Sequence, residues 1–263
     1  MRILIDFDET ITTKDTISLL LSLPQHHLQP SHFSDIYLSA YKSHVKSVAN
    51  VEDEINFQKQ LLSVENTSIN ALQHEKFFKG ITANQIARLS SEVAVQPGFF
   101  TFLRKCKTLN LAVSILSLNW SSVLIRSVLG EFGNDVEIVC NDLEMVDGVC
   151  TGNFKGNIRT GYDKLQYIRQ FPQKVYIGDS RSDLLSLLAS DVGIVMESGS
   201  LLKKSPWELK IKSLNEIRFV DKFTHRKVNE FTNREVDKCT NRKVNEFSNQ
   251  LYKANWHDIV EFI

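Results

Sequence analysis

Two carboxylates stand two residues apart in Asp6-Phe7-Asp8-Glu9-Thr10, directly after the apolar run Ile3-Leu4-Ile5. A short apolar run that ends in polar turn residues reads as a buried strand. Both acids then sit at the strand's C-terminal end, where parallel α/β sheets bind ligands. Carboxylates this close repel one another, and a cation between them relieves the repulsion. A calcium loop of the EF-hand type needs glycine at its sixth position, where this chain has Ile11.

A second acidic group, Gly178-Asp179-Ser180-Arg181-Ser182-Asp183, follows another strand-like run at 174–177. Asp183 also opens a helical pattern, where a carboxylate complements the helix dipole. Two independent strand-end acidic clusters in one α/β domain are hard to dismiss as chance. Ser117 ends a third strand-like run, 111–116. A hydroxyl with free backbone N–H groups there suits a phosphate oxygen, and ordinary turn chemistry is the alternative. Lys164 opens the helical pattern at 164–171, where its charge opposes the dipole. Its place calls for another reason, the alternative being one more surface lysine.

The elements that must position these groups alternate. Strand patterns at 111–116, 136–140, 174–178 and 192–196 are separated by helical patterns at 99–109, 121–129, 164–171 and 183–189. Right-handed crossovers then give an α/β fold with a Rossmann-like parallel sheet covered on both faces. The stretch after Cys140 reads as a loop rich in Gly and Asp. Between the first strand and Pro97-Gly98 lie four amphipathic helical patterns, at 16–23, 32–48, 52–62 and 83–93. The expected organisation is a core of 1–13 and 96–218, a helical cap at 14–95, a repeat insertion at 219–250 and a return to the core at 251–263.

The repeat has an eight-residue unit marked by Val220, Val228, Val236 and Val244, with Phe223, Phe231, Cys239 and Phe247 in step. On a straight helix such a unit drifts by about 80° per copy, so no continuous apolar face forms. On a strand, positions three apart point to opposite faces. A peripheral insertion outside the chemistry is expected.

Hydrophobic residues make up 42% of the 263, enough for a sizeable core. Thirty-one basic side chains balance 31 acidic ones, which argues against nucleic acid and anionic membranes as partners. The four cysteines form no C-x-x-C pair, as expected for free thiols in a reducing compartment. The N-terminus reaches the charge of Asp6 after three apolar residues, too short a run for a signal-peptide core. A soluble, cytoplasmic protein is expected. His26, His27, His32 and His44 lack metal-favouring spacing and read as surface or core histidines.

Taken in chain order, DFDET, the Ser of ILSLNWS, the Lys of GYDK and GDSRSD resemble the haloacid dehalogenase superfamily. Its pattern is a strand-end DxDxT, a strand-end Ser or Thr, a Lys and a strand-end GDxxxD. The resemblance covers about 1–205 and 251–263. The helical block resembles the C1-type cap of the phosphoserine-phosphatase-like branch. DFDETIT, LSLNWS, VYIGDSRSDLLSLLASDVGIV and LYKANWHDIVEFI are similar to fungal cold-tolerance proteins of this superfamily and to the phosphatase domain of plant thiamine monophosphate phosphatases. Phosphoserine phosphatases carry Ser-Gly-Gly where this chain has Ser117-Leu118-Asn119, which argues against phosphoserine as substrate.

The resemblance implies a phosphatase with Asp6 as nucleophile and Asp8 as general acid and base. It implies Mg2+ held by Asp6, Asp179 and the main-chain carbonyl of Asp8, with Ser117 and Lys164 on the phosphate oxygens. Asp183 supports the metal or orients Lys164, with Thr10 and Asn119 as further supporting residues. Asp15, at the cap entrance, faces a cationic substrate group or caps the helix behind it. The implied substrate is a small-molecule phosphate ester, with thiamine monophosphate the best match. A phosphotransferase using the same aspartyl phosphate, and a binding module built on the repeat, are the alternatives.

Overall fold

Ile3-Leu4-Ile5 does form a strand. In the computed structural model, which describes residues 1–44, 47–156, 158–216, 247 and 250–263, Arg2–Ile5 is β1 of a seven-stranded sheet. Its neighbours are β2 (Ala112–Leu116) and β6 (Lys174–Gly178). Outside β2 lies β3 (Glu137–Val139). Beyond β6 come β7 (Val192–Met196), β9 (Gln250–Ala254) and, at the edge, β8 (Lys210–Ser213). All neighbouring strands pair in parallel. The alternation along β1 divides the core. Ile3 and Ile5 pack with Phe102, Leu124 and Trp256 from α5 (Phe99–Thr108), α6 (Ser122–Leu129) and α10 (Trp256–Phe262). Leu4 packs on the other face with Leu165 and Leu184 of α7 (Gly161–Ile168) and α8 (Leu184–Leu188). Strands covered on both faces read as unbroken apolar runs, as all five buried residues of β7 show.

The chain leaves this core after Thr13 and returns at Gln96. The two crossings are tied by Thr13 N–H to Ala94 O (2.9 Å) and Gln96 N–H to Ile11 O (2.8 Å). Between them lie α1 (Ile17–Ser22), α2 (Pro30–His44), α3 (Val51–His74) and α4 (Ala83–Arg88). Helix α3 continues well past residue 62, where the sequence pattern fades into Glu65-Asn66-Thr67-Ser68. Burial of Ser68, Ile69 and Leu72 explains the extension, since packing overrides weak helix formers. The helix expected over 83–93 ends at Arg88 and tightens into a 3₁₀ turn through Glu92.

One further expectation is corrected. The Gly/Asp-rich loop after Cys140 is a hairpin of β4 (Asp142–Val146) and β5 (Val149–Lys155). Its turn, Asp147-Gly148, has φ of 51° and 74°, the left-handed pair that tight two-residue hairpins require. The hairpin grips the helical insert through Ala83 N–H to Gly148 O (2.8 Å) and Cys150 N–H to Ile81 O (2.8 Å). The polar run Lys210–Ser213, which follows the short helix α9 (Ser200–Lys203), forms the edge strand β8. The return at 251–263 supplies β9 and α10, with Trp256 1% exposed against Phe99 and Phe102. The repeat at 219–250 lies outside the described residues, apart from Phe247, half-buried against the α7/α8 face, and Gln250, which opens β9. Among the described residues, no helix is long and apolar enough to cross a membrane.

Candidate active site

Asp6, Ser117 and Asp179 each follow the C-terminal end of a strand, β1, β2 and β6, that are neighbours in the sheet. The parallel register therefore brings three distant sequence positions to one edge. Asp6 N–H donates to Ile177 O (2.9 Å), extending the ladder by one residue and fixing the start of the loop that follows β1. Glu9 then takes φ of 58°, a left-handed turn that costs a non-glycine residue some strain. It is braced by Glu9 N–H to Thr12 Oγ1 (3.0 Å). From the opposite side, Trp256 Nε1–H donates to Thr10 O (3.0 Å).

Lys164 is wholly buried, and its ammonium donates to Asp6 Oδ1 (2.6 Å) and Asp183 Oδ1 (2.8 Å). Burial pulls its pKa down, yet the Asp183 and Asp6 carboxylates more than offset this and hold it raised. This partnership accounts for a lysine in the first turn of α7. Thr160 caps that helix by accepting from Asp163 N–H, so α7's start is fixed independently of the lysine.

Asp183 is saturated. Its Oδ1 accepts from Lys164 and from Tyr176 Oη (2.8 Å), and its Oδ2 from Asp179 N–H (3.2 Å), Ser180 N–H (3.1 Å) and Ser180 Oγ (3.1 Å). Asp179 is different. Its Oδ1 accepts from Thr10 Oγ1 (3.2 Å), while its buried Oδ2 has no partner among the described residues. Thr10 Oγ1 also lies 3.4 Å from Asp6 Oδ2. A buried carboxylate oxygen without a donor is costly and points to a cation. Donor atoms of Asp6, Asp179 and Asp183 lie within 4.8 Å of one another. Burial first, then the neighbouring Asp183, push Asp6 up to about 7 and Asp179 up to about 8. Three carboxylates, Asp6, Asp179 and Asp183, gather around the single Lys164 ammonium, so an anion needs a further positive charge to enter. The chemistry of this donor set fits a hard, oxygen-binding divalent ion. Asp183, with both oxygens engaged, orients Lys164 and the 179–183 loop.

Asp8 is turned away from that cluster. Its carboxylate accepts from Thr16 N–H (2.8 Å), Thr16 Oγ1 (2.7 Å) and Asn119 Nδ2 (2.8 Å). Burial raises its pKa, and the Asn119 and Thr16 hydrogen bonds oppose the rise. Ser117 is buried with its Oγ accepting from Asn119 N–H (3.0 Å). Of the backbone N–H groups here, Ser117 N–H is spent on Val139 O (3.0 Å) and Asn119 N–H on Ser117 Oγ, while Leu118 N–H has no partner among the described residues. The serine hydroxyl proton and the Leu118 N–H are what remain there to meet a phosphate. Asp15 is exposed, with Oδ2 3.4 Å from Ser18 N, so it caps α1 loosely while facing the cavity.

A cavity of about 190 Å³ is bounded by Asp6, Asp8, Ser117, Asn119 and Asp179. It adjoins one of about 460 Å³ beneath α1, α2 and α3, with Asp15, Ile17 and Leu118 bordering both. Phe33, Tyr37, Trp120 and Glu65 line the larger space. Tyr37 Oη donates to Glu65 Oε1 (3.1 Å), and burial pushes Glu65 up to about 7. Sequence reading missed Glu65 and Trp120, because nothing local marks a residue whose partner surface is another domain's strand end. It also set His26 and His27 aside. The structure brings them beside Glu75 at the surface of the helical insert, away from the acidic cluster.

Residues 3–187 match the family of haloacid dehalogenase-like hydrolases. The chain is 29% identical over 237 residues to cold tolerance protein 1 of Saccharomyces cerevisiae, covering 71% of this chain and 75% of that one. It is 28% identical over 192 residues to the mitochondrial bifunctional TH2 protein of Arabidopsis thaliana, covering 64% of this chain and 31% of the plant protein. Among solved structures, a hydrolase of the same family from Salmonella enterica serovar Typhi superposes with a TM-score of 0.54 at 17% identity, over 77% of this chain and 64% of that one.

Proposed function

The chain belongs to the haloacid dehalogenase-like hydrolase family, and we propose that it is a magnesium-dependent phosphomonoesterase working through an aspartyl phosphate on Asp6. The observation that carries this is the buried group of Asp6, Lys164, Asp179 and Asp183 with one carboxylate oxygen left without a donor.

Magnesium would be held by Asp6, Asp179 and the main-chain carbonyl of Asp8, and would supply charge neutralisation for the entering phosphate. Lys164 and the Ser117 hydroxyl steady the phosphate oxygens, where charge accumulates during transfer. An Asp6 carboxylate oxygen attacks phosphorus, and the bond from phosphorus to the ester oxygen breaks. Asp8, whose raised pKa favours a held proton, gives that proton to the departing alcohol. In the second step Asp8 takes a proton from water as the water oxygen attacks phosphorus. The bond to Asp6 then breaks and inorganic phosphate leaves. Asn119 and Thr16 keep Asp8 aimed at the ester oxygen through both steps. Asp8 has no task in breaking a carbon–halogen bond, so its presence supports ester hydrolysis.

The proposed substrate is a small phosphorylated metabolite, with thiamine monophosphate the best candidate. The aromatic lining of the 460 Å³ space supports a ring-bearing alcohol, and the exposed carboxylate of Asp15 at its border with the smaller cavity supports a cationic one. Purified protein is expected to release phosphate from thiamine monophosphate in magnesium, faster than from phosphoserine, and to lose the activity in excess chelator. Hydrolysis undiminished by chelator would contradict the metal reading, and a phosphoserine preference would contradict the substrate reading.

A further inference from the structure

Glu54 is a fully buried carboxylate on a helix that carries none of the catalytic groups. It lies one turn into α3, and its partner belongs to the catalytic loop. Arg181, between Asp179 and Asp183, donates from Nε to Oε1 (3.1 Å) and Oε2 (3.0 Å), and from Nη2 to Oε2 (2.8 Å). The guanidinium lies 3.8 Å over the ring of Phe57, one turn along the same helix. Gln58 completes the arrangement. Its Nε2–H donates to Glu54 Oε1 (2.8 Å), and its Oε1 accepts from Gly161 N–H (2.9 Å), the first residue of the helix that bears Lys164. Gly161 has no room for a side chain: a Cβ there would stand 2.4 Å from Ser182 O and 3.0 Å from Gln58 Oε1. Three segments therefore meet at one contact: α3, the start of α7 and the 179–183 loop.

We infer that Glu54 is a positioning residue of the metal site, acting through Arg181 to hold the loop that carries Asp179 and Asp183. The inference rests on the reading of the acidic cluster as a magnesium site. Docking a helix on a sheet does not call for a buried ion pair. Apolar side chains of similar volume dock equally well or better, because they escape the cost of removing charges from water. What the pair adds is direction. A planar guanidinium gripped by both carboxylate oxygens fixes the orientation of the loop that holds it. That loop supplies the unpartnered Asp179 Oδ2 and, through Asp183, the hydrogen bond that aims Lys164. Gln58 serves the same end at the other support of Lys164, the first turn of α7.

The test separates docking from positioning. Magnesium binding to the whole protein, without substrate, is measured by calorimetry for wild type, Glu54→Ala and the paired replacement Glu54→Met with Arg181→Met. The paired protein keeps an apolar contact between α3 and the loop, so it folds even if Glu54→Ala does not. Outlying partners of metal ligands are worth about 10–100-fold in metal affinity. Magnesium affinity is expected to fall by about tenfold or more in the paired protein, and in Glu54→Ala where it folds. Restoring Glu54 alone, with Arg181→Met retained, is expected not to recover it. A folded paired protein that binds magnesium like wild type would overturn the inference and leave the metal site intact. Wild-type protein that binds no magnesium would overturn the metal reading, and this inference with it.

Discussion

Asp6 and Asp8 are two residues apart, and their surroundings assign them different work. Asp6 faces Lys164 and the other acids, so its charge is useful only when compensated. Asp8 faces Asn119 and Thr16, which aim it without neutralising it. Replacing Asp8 by Asn keeps the side chain's shape, leaves one oxygen to accept from Thr16 or from Asn119, and removes the transferable proton. Hydrolysis of an alkyl phosphate is expected to fall by roughly 10²–10⁴-fold. With p-nitrophenyl phosphate, whose leaving group needs little protonation, the loss is expected to be much smaller. Equal losses on both esters, measured under saturating substrate, would remove Asp8 from the proton-transfer role.

Elements far apart in sequence brace the loop that follows β1. Helix α10, the last of the chain's described elements, reaches Thr10 through the Trp256 indole. Thr10 in turn bridges Asp6 and Asp179 with its hydroxyl. Trp256→Phe keeps most of the packing against Phe99 and Phe102 and deletes the N–H. A buried carbonyl left without its donor costs about 1–3 kcal/mol, so the denaturation midpoint is expected to fall accordingly. An unchanged midpoint in urea would show that the Thr10 carbonyl finds another donor and that α10 is not a brace of the loop.

Across the whole molecule, what could be read in the sequence was what local pattern records. Apolar runs ending in acids at Asp6 and Asp179 gave the parallel strands and the site edge, because burial on both faces leaves no alternation to confuse. Lys164 was legible as an anomaly against its helix dipole, and α7 resolves it with two carboxylates. The polar second half of α3 was not legible, since its helicity comes from what it packs against. Neither was β8, an edge strand whose Lys210 and Lys212 hide its pairing with β9. The hairpin had a local signal in Asp147-Gly148, which reading the region as a loop passed over. The Glu54–Arg181 tie joins positions 127 residues apart and leaves no trace in either neighbourhood.

The proposed hydrolysis requires phosphoryl transfer to Asp6. Its most direct test is rapid-quench mass spectrometry of the protein turning over p-nitrophenyl phosphate in magnesium. A phosphoryl adduct is expected on the peptide that carries Asp6. It should be absent in excess chelator and absent from Asp6→Asn, whose turnover should drop about 10³-fold or more. A folded Asp6→Asn protein that hydrolyses the ester at the wild-type rate, with no adduct on Asp6 in either protein, would contradict the covalent mechanism.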